Sequence, residues 1–328
     1  MNGKELDWFP KPNNKIITFK EAVKNIKINS IPPPLSPCFI KWVPLMNQGQ
    51  SVAEVSKQNK HFQTVRIFDN KVCPTITKVI GGIGFGSLIH PFENRVLSIS
   101  EIKRCCTFPD DWKLGNKYSE SKARMGNAVM PKMMEAIAKH INQTFLKKDN
   151  PTVISTFCGT GGSSLGYKYA GYKELLAIDW ENHAVQCFKA NFPEVPCQQK
   201  DITKVTSQEI FDFCKITKGE LDVFDGSPPC QGFSTAGKRQ VSDERNDLFK
   251  HYWRLVKEIQ PKVFVMENVS GMIKGKMKGK FKEIMSTLKS DNYEVKCKLM
   301  NAMYYNVPQS RQRLIFIGVR KDILEKLT

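Results

Sequence analysis

From residue 152 onward the chain alternates between short β-branched runs and amphipathic stretches, and this alternation restricts the fold more than any other feature. TVISTF (152–157) has strand character and runs into the glycine-rich CGTGG, which opens a helical stretch. ELLAID, LDVFDGS, KVFVMENV and RLIFIGVR are further strand candidates. ENHAVQCFKANF and HYWRLVKEIQ, lying between them, carry apolar residues at helical spacing. Strands and helices in turn predict an α/β domain: a doubly wound, mostly parallel sheet with its sites at the C-terminal strand ends.

The first half has another texture. Residues 1–90 are irregular and Pro-rich (SIPPPLSP), with a glycine cluster, GGIGFG, at 81–86. Residues 91–148 look mostly helical. MPKMMEAIAKHINQTFL has apolar residues at 133, 134, 137, 141 and 145, with Pro131 near its start. A helix over 123–148 is expected to pack with 151–328. We place a small irregular domain over 1–118 and a catalytic and cofactor-binding domain over 119–328.

The 328 residues carry 50 Lys+Arg against 32 Asp+Glu, a formal charge of +18. Such an excess points to a polyanionic partner, most simply nucleic acid. Ten cysteines show no C-x-x-C pair and no zinc spacing, so no metal site is expected. With no signal peptide and no apolar run of membrane-spanning length, the expected setting is cytoplasmic, with reduced thiols.

Several short stretches carry chemistry. In FCGTGGSSLG (157–166), Gly159 and Gly161 let the backbone approach a small molecule closely. Asp179 ends the next strand and can accept from ribose hydroxyls. Trp180 beside it can stack on a purine or pack in the core. Asp201, in KDIT, can meet an adenine amino group. No P-loop lysine follows the glycines, so a nucleoside cofactor fits better than a nucleotide triphosphate. DGSPPCQGFS (225–234) holds Cys230 behind two prolines, whose fixed φ angles stiffen the approach. The plain alternative is a buried structural cysteine beside a turn. MENVSGM ends a strand with Glu267 and Asn268, which puts a carboxyl at the same sheet edge. QSRQR puts Arg311 and Arg313 two apart before a strand; alternation sends both to one face, as anion-holding groups or as a solvated basic end.

Together FCGTGG, DW, PPCQGFS, ENV and QSRQR resemble the motifs of the C5-cytosine DNA methyltransferases, in that family's order across 153–320. The resemblance implies a fold that binds S-adenosylmethionine, with Phe157, Gly159, Gly161, Asp179, Trp180, Asp201, Ile202, Pro229 and Leu248 at the cofactor. It implies Cys230 as covalent nucleophile, with Glu267, Arg311 and Arg313 completing a cytosine pocket. The chemistry agrees. Cytosine C5 is a poor nucleophile until a thiolate adds to C6, and a hydrogen bond at N3 stabilises the adduct. All three atoms are reachable only in a flipped base. Departures from the family pattern are Ser155 for a usual Asp, Asp179 for Glu, Ser227 for Gly or Phe and Arg124 for Gln.

The remaining family motifs stand in an unusual place. NRVLSISEIKRCCTFPDDW (94–112) and RMGNAVMPKMMEAIAKHI (124–141) resemble segments that the family carries near its C-terminus, yet here they precede the glycine loop. The sequence is therefore expected to be circularly permuted, with Asn127 and Ala128 at the cofactor and the recognition segment at about 1–90. The implied partners are double-stranded DNA and, in a restriction–modification setting, a cognate endonuclease; the enzyme is expected to be a monomer. The same motifs serve methyltransferases acting on tRNA. A non-catalytic DNA-binding relative would be expected to lose Cys230, Glu267 or the arginines, and all are present.

Overall fold

A computed structural model of the chain describes residues 6–29, 31–57, 64–78, 86–229, 248–273 and 278–327. Two compact units emerge. The smaller comprises Pro12–Met133 and Asn301–Arg311; the larger comprises Met1–Lys11, Met134–Met300 and Gln312–Thr328. The chain thus divides near 133 rather than 118, and a short late segment returns to the smaller unit.

The smaller unit has little regular structure. Its strands β1 (Val65–Arg66) and β2 (Leu88–Ile89) pair in parallel. Three of its short helices begin at capping boxes, Thr18–Glu21, Ser51–Glu54 and Ser98–Glu101, in which hydroxyl and carboxylate satisfy backbone N–H groups reciprocally. One core gathers Phe39, Val43, Met46, Val52, Ile89 and Val96. In place of a long sheet, the buried Arg66 guanidinium binds the loops by donating to the carbonyls of Val43, His90 and Glu93 and to Asn94 Oδ1, at 2.6–3.1 Å. The helix Tyr118–Asn127 belongs here because Lys122 Nζ, almost fully buried, donates to Ser87 Oγ at 2.9 Å.

The helix expected over 123–148 is two helices, Tyr118–Asn127 and Pro131–Ile141, followed by a wide turn at Asn142–Leu146. The first helix ends where Ala128 turns to extended backbone, at φ −67°, ψ 146°, and Pro131, with no N–H to donate, opens the second.

The larger unit is built on seven strands: β3 (Thr152–Thr156), β4 (Lys173–Asp179), β5 (Cys197–Gln199), β6 (Val223–Gly226), β7 (Val263–Val269), β8 (Tyr293–Asn301) and β9 (Gln312–Arg320). Their order is β5-β4-β3-β6-β7-β9-β8. Neighbours from β5 to β7 pair in parallel, and β9 is antiparallel to β7. This is the α/β, mostly parallel sheet expected from the alternation. Buried on both faces, the strands read as near-continuous apolar runs. The helix Leu248–Ile259 shows why sequence spacing places it. Phe249, Tyr252, Trp253, Val256 and Ile259 recur at helical period and bury one face in the core with Phe224, Phe264 and Tyr293. The Tyr172 hydroxyl donates to Ala138 O at 2.9 Å, fixing the helix Pro131–Ile141 in this unit from Met134 onward. No helix among the described residues is long and apolar enough to cross a membrane.

Asp222, fully buried at the start of β6, clamps the sheet's N-terminal edge. Its carboxylate accepts from Lys148 Nζ (2.8 Å), Lys262 Nζ (2.7 Å), and the backbone N–H and hydroxyl of Thr152 (2.8 and 3.0 Å). Burial pushes this carboxyl up, but the two lysines and the Thr152 N–H more than offset that, and it titrates below the usual Asp range. A depressed folded value means that the stabilisation is present above the ordinary Asp range and is lost as pH falls through the lower folded value. Asp222→Ala should therefore cost about 2 kcal/mol in urea unfolding at pH 7. The gap to wild type should narrow below pH ~3. An equal gap at both pH values would show that the charge contributes nothing.

Candidate active site

The strand order reverses at β3 and β6: β4 and β5 lie on one side of β3, and β6 and β7 on the other. Loops from β3 and β6 therefore diverge above the sheet and leave a crevice at their C-terminal ends. The register levels those ends, with Thr156 beside Gly226 and Gly226 beside Met266. The glycine loop, the segment Ser227–Pro229 and Glu267 consequently leave the sheet at one height.

The glycine loop is held by backbone bonds to β4 and within itself. Cys158 N donates to Ile178 O at 3.2 Å and Gly161 N to Cys158 O at 2.9 Å. Phe157, Gly159 and Gly161 all have positive φ, at 55°, 56° and 89°. At Phe157 this left-handed geometry is a strained choice beside the site. The two glycines answer different demands. A Cβ on Gly161 would stand 2.4 Å from the Phe192 ring, whereas a Cβ on Gly159 would project into open space. Asp179 Oδ2 accepts from Gly159 N at 2.8 Å and Oδ1 from Glu181 N at 2.9 Å, so this residue shapes the loop as well as facing the crevice. Trp180 beside it is 70% exposed, which rules out the core-packing alternative. Asp201 caps the turn Ile202–Lys204 by accepting from Thr203 N at 3.0 Å, and that bond holds its carboxyl below the usual range. Ile202 is buried beneath it.

On the other side of the crevice, Glu267 lies near the end of β7 and pairs with Arg313 of β9, Oε1 to Nε at 2.7 Å, both half-buried. Antiparallel register makes them diagonal neighbours, Glu267 opposite Ile315 and Arg313 opposite Val269. Asn268 Nδ2 donates to Pro228 O at 3.3 Å, tying the Glu267 strand to the proline segment. Sequence reading noted Asn268 but gave it no role; its only signal was its place in ENV. Cys230 lies outside the described residues, between Pro229 and Leu248, both half-buried.

The two arginines of QSRQR fall in different units. Arg311 precedes β9, belongs to the smaller unit and is 2% exposed. Its guanidinium donates to Ile76 O (3.2 Å) and Gly126 O (2.9 Å). The alternation that would pair it with Arg313 begins only at Gln312. Gln309 of the same motif is also buried there, accepting from Ile76 N at 3.1 Å, a role that sequence reading missed. Asn127 and Ala128 end the helix below Gly126 in the smaller unit, Asn127 exposed and Ala128 buried.

The fold is an α/β protein with its glycine loop at the topological switch point of a mostly parallel sheet. The profile of the C-5 cytosine-specific DNA methylase family matches residues 12–143 and 151–327, and the chain belongs to that family. It is 44% identical over 177 residues to the Type II methyltransferase M1.HphI of Haemophilus parahaemolyticus, covering 52% of this chain and 46% of the relative. It is 40% identical over 175 residues to M.XorII of Xanthomonas oryzae pv. oryzae, covering 53% and 41%. The chain thus matches somewhat under half the length of these curated relatives. Among solved structures it resembles an E. coli prophage-encoded putative DNA modification methyltransferase, at 35% identity and TM-score 0.47, over 53% of this chain and 48% of that one.

The two glycines generate a paired test. Gly161→Ala combines a left-handed φ with a clash against Phe192 and should cost about 2–4 kcal/mol. Gly159→Ala meets only the φ penalty and should cost about 1 kcal/mol. Thermal unfolding of both variants reads the difference, and equal losses would mean that Phe192 yields freely.

Proposed function

We propose that the protein is a site-specific DNA (cytosine-5) methyltransferase of restriction–modification type, acting on double-stranded DNA with S-adenosylmethionine. The observation that carries the reading is the convergence of the glycine loop, the Pro228–Pro229 segment leading to Cys230, and the Glu267–Arg313 pair at one sheet edge.

The open space above Gly159 and the exposed Trp180 ring fit a nucleoside cofactor. Phe157, Gly159, Gly161, Asp179, Trp180, Asp201, Ile202, Pro229 and Leu248 would hold it, with Asn127 and Ala128 assigned by motif. Asp179, which keeps Gly159 in place, would accept from the ribose hydroxyls, and Trp180 would offer its face to the purine. When bound, the cofactor supplies an electrophilic methyl group.

Cytosine is turned out of the duplex. The Cys230 thiolate adds to C6 and electron density moves to C5, which becomes nucleophilic. Glu267 hydrogen-bonds N3, and Arg313 fixes the orientation of that carboxyl through Oε1. After C5 is methylated, a base, reached through water, takes the C5 proton, and Cys230 leaves. We assign Arg311 to positioning: its bonds to Ile76 and Gly126 hold segments of the smaller unit, which leaves Arg313 as the arginine beside Glu267. The net charge of +18 suits a phosphate backbone and implies strong salt dependence.

We also infer the permuted motif order. The family profile matches in two stretches, and RMGNAVMPKMMEAIAKHI lies in the first of them. The names of the Type II relatives support a cognate endonuclease as partner.

Cys230→Ala should abolish methyl transfer while leaving thermal unfolding within about 1 kcal/mol of wild type. Bisulfite sequencing of duplex DNA incubated with the protein and S-adenosylmethionine should show one methylated sequence context. Methylation of tRNA in preference to duplex DNA would favour the RNA reading, and turnover by Cys230→Ala would remove the nucleophile.

A further inference from the structure

Asp225 is a buried acid that the reaction above does not use. It lies in β6, five residues before Cys230, and its side chain is 3% exposed. Parallel pairing sets it beside Ser155 of β3, one of the positions where the sequence departs from its family's pattern. Its carboxyl faces the helix Gly162–Tyr169, which starts at the glycine loop. Tyr167 Oη donates to Asp225 Oδ1 at 3.2 Å. The Asp225 carbonyl accepts from Thr156 Oγ1 at 3.0 Å. The next residue, Gly226, is wedged: a Cβ there would meet the Tyr252 ring at 2.5 Å and Thr156 Oγ1 at 2.6 Å. Little slack remains between this carboxyl and the segment that follows it.

We propose that Asp225 is a positioning residue for methyl transfer: its carboxyl couples the helix of the glycine loop to the segment Gly226–Pro229 that leads into Cys230. The inference rests on the methyltransferase reading above and assigns a residue to it.

The coupling is sensitive to charge. Burial pushes the Asp225 carboxyl up to about 8, and the acids facing it, Glu174 from β4 and Glu267 from β7, push the same way. The Tyr167 hydroxyl, which donates to it, and the nearby Ser163 hydroxyl oppose this. Tyr252, from the helix Leu248–Ile259, is the other titratable group against it, and burial holds that phenol well above the usual range. Glu174 is itself raised to about 7 by burial, against the bond that Ser164 Oγ donates to it at 2.9 Å. At neutral pH Asp225 is therefore the neutral acid, and ionisation places a charge next to other carboxylates in a dry site.

The test is methylation of duplex DNA by the full chain between pH 6.5 and 9.5, comparing wild type with Asp225→Asn, Asp225→Ala and Tyr167→Phe. Asn copies the neutral acid and cannot ionise. The ratio of its kcat to that of wild type should rise about tenfold between pH 7 and pH 9, other titrations cancelling in the ratio. At pH 7, Asp225→Ala should fall at least about tenfold below Asp225→Asn in kcat, at unchanged KM for DNA. Tyr167→Phe removes a donor to the ionised form, so the alkaline break should move to higher pH. A ratio that stays flat, or a break unmoved in Tyr167→Phe, overturns the proposal if wild type is active. A wild type that methylates at no pH sinks the function instead.

Discussion

The parallel register of β3, β6 and β7 is the constraint on which the site depends. It fixes Thr156, Gly226 and Met266 at one level, so three loops distant in sequence begin side by side. A slip of one residue would turn every side chain to the opposite face of the sheet. Glu267 would then face away from Arg313, and Asp225 away from Tyr167. Gly226 helps to lock the register, because no other residue fits between Tyr252 and Thr156.

The two ends of the same strands use charge in opposite ways. At the N-terminal edge Asp222 is buried but surrounded by two ammonium groups and a backbone N–H, and it stays ionised. At the C-terminal edge Asp225, three residues on, has a single hydroxyl partner, Tyr167, and acidic neighbours, and burial dominates. The same residue type on the same strand is thus an anchor at one end and a titrating group at the other. The difference follows from partners, since desolvation acts on both.

Most of the larger unit was legible because its signals are local. Alternating strands and helices, glycines at a βα turn and the apolar period of Leu248–Ile259 each act within a few residues. The exposure of Trp180 and the second task of Asp179 at Gly159 N were not legible, because both depend on where β4 ends relative to the glycine loop. The helix read over 123–148 failed at Pro131, where a strong apolar period masked a backbone break. The buried partners of Arg311 were not legible for a related reason. Alternation was extended one residue too far, past the point where β9 begins, and Arg311 instead meets carbonyls that stand more than 180 positions away in sequence.

The sequence by itself determined the fold class, the chemistry-bearing stretches and the family, because these rest on residue type and short spacing. Only the tertiary structure decided which groups work together. Pairing across β7 and β9 joined Arg313 to Glu267, and pairing across β3 and β6 aimed Asp225 at the helix of the glycine loop. It also gave Arg311 to the smaller unit. Such partnerships are set by strand register and by which surfaces bury one another, and neither is written in any single stretch of the chain.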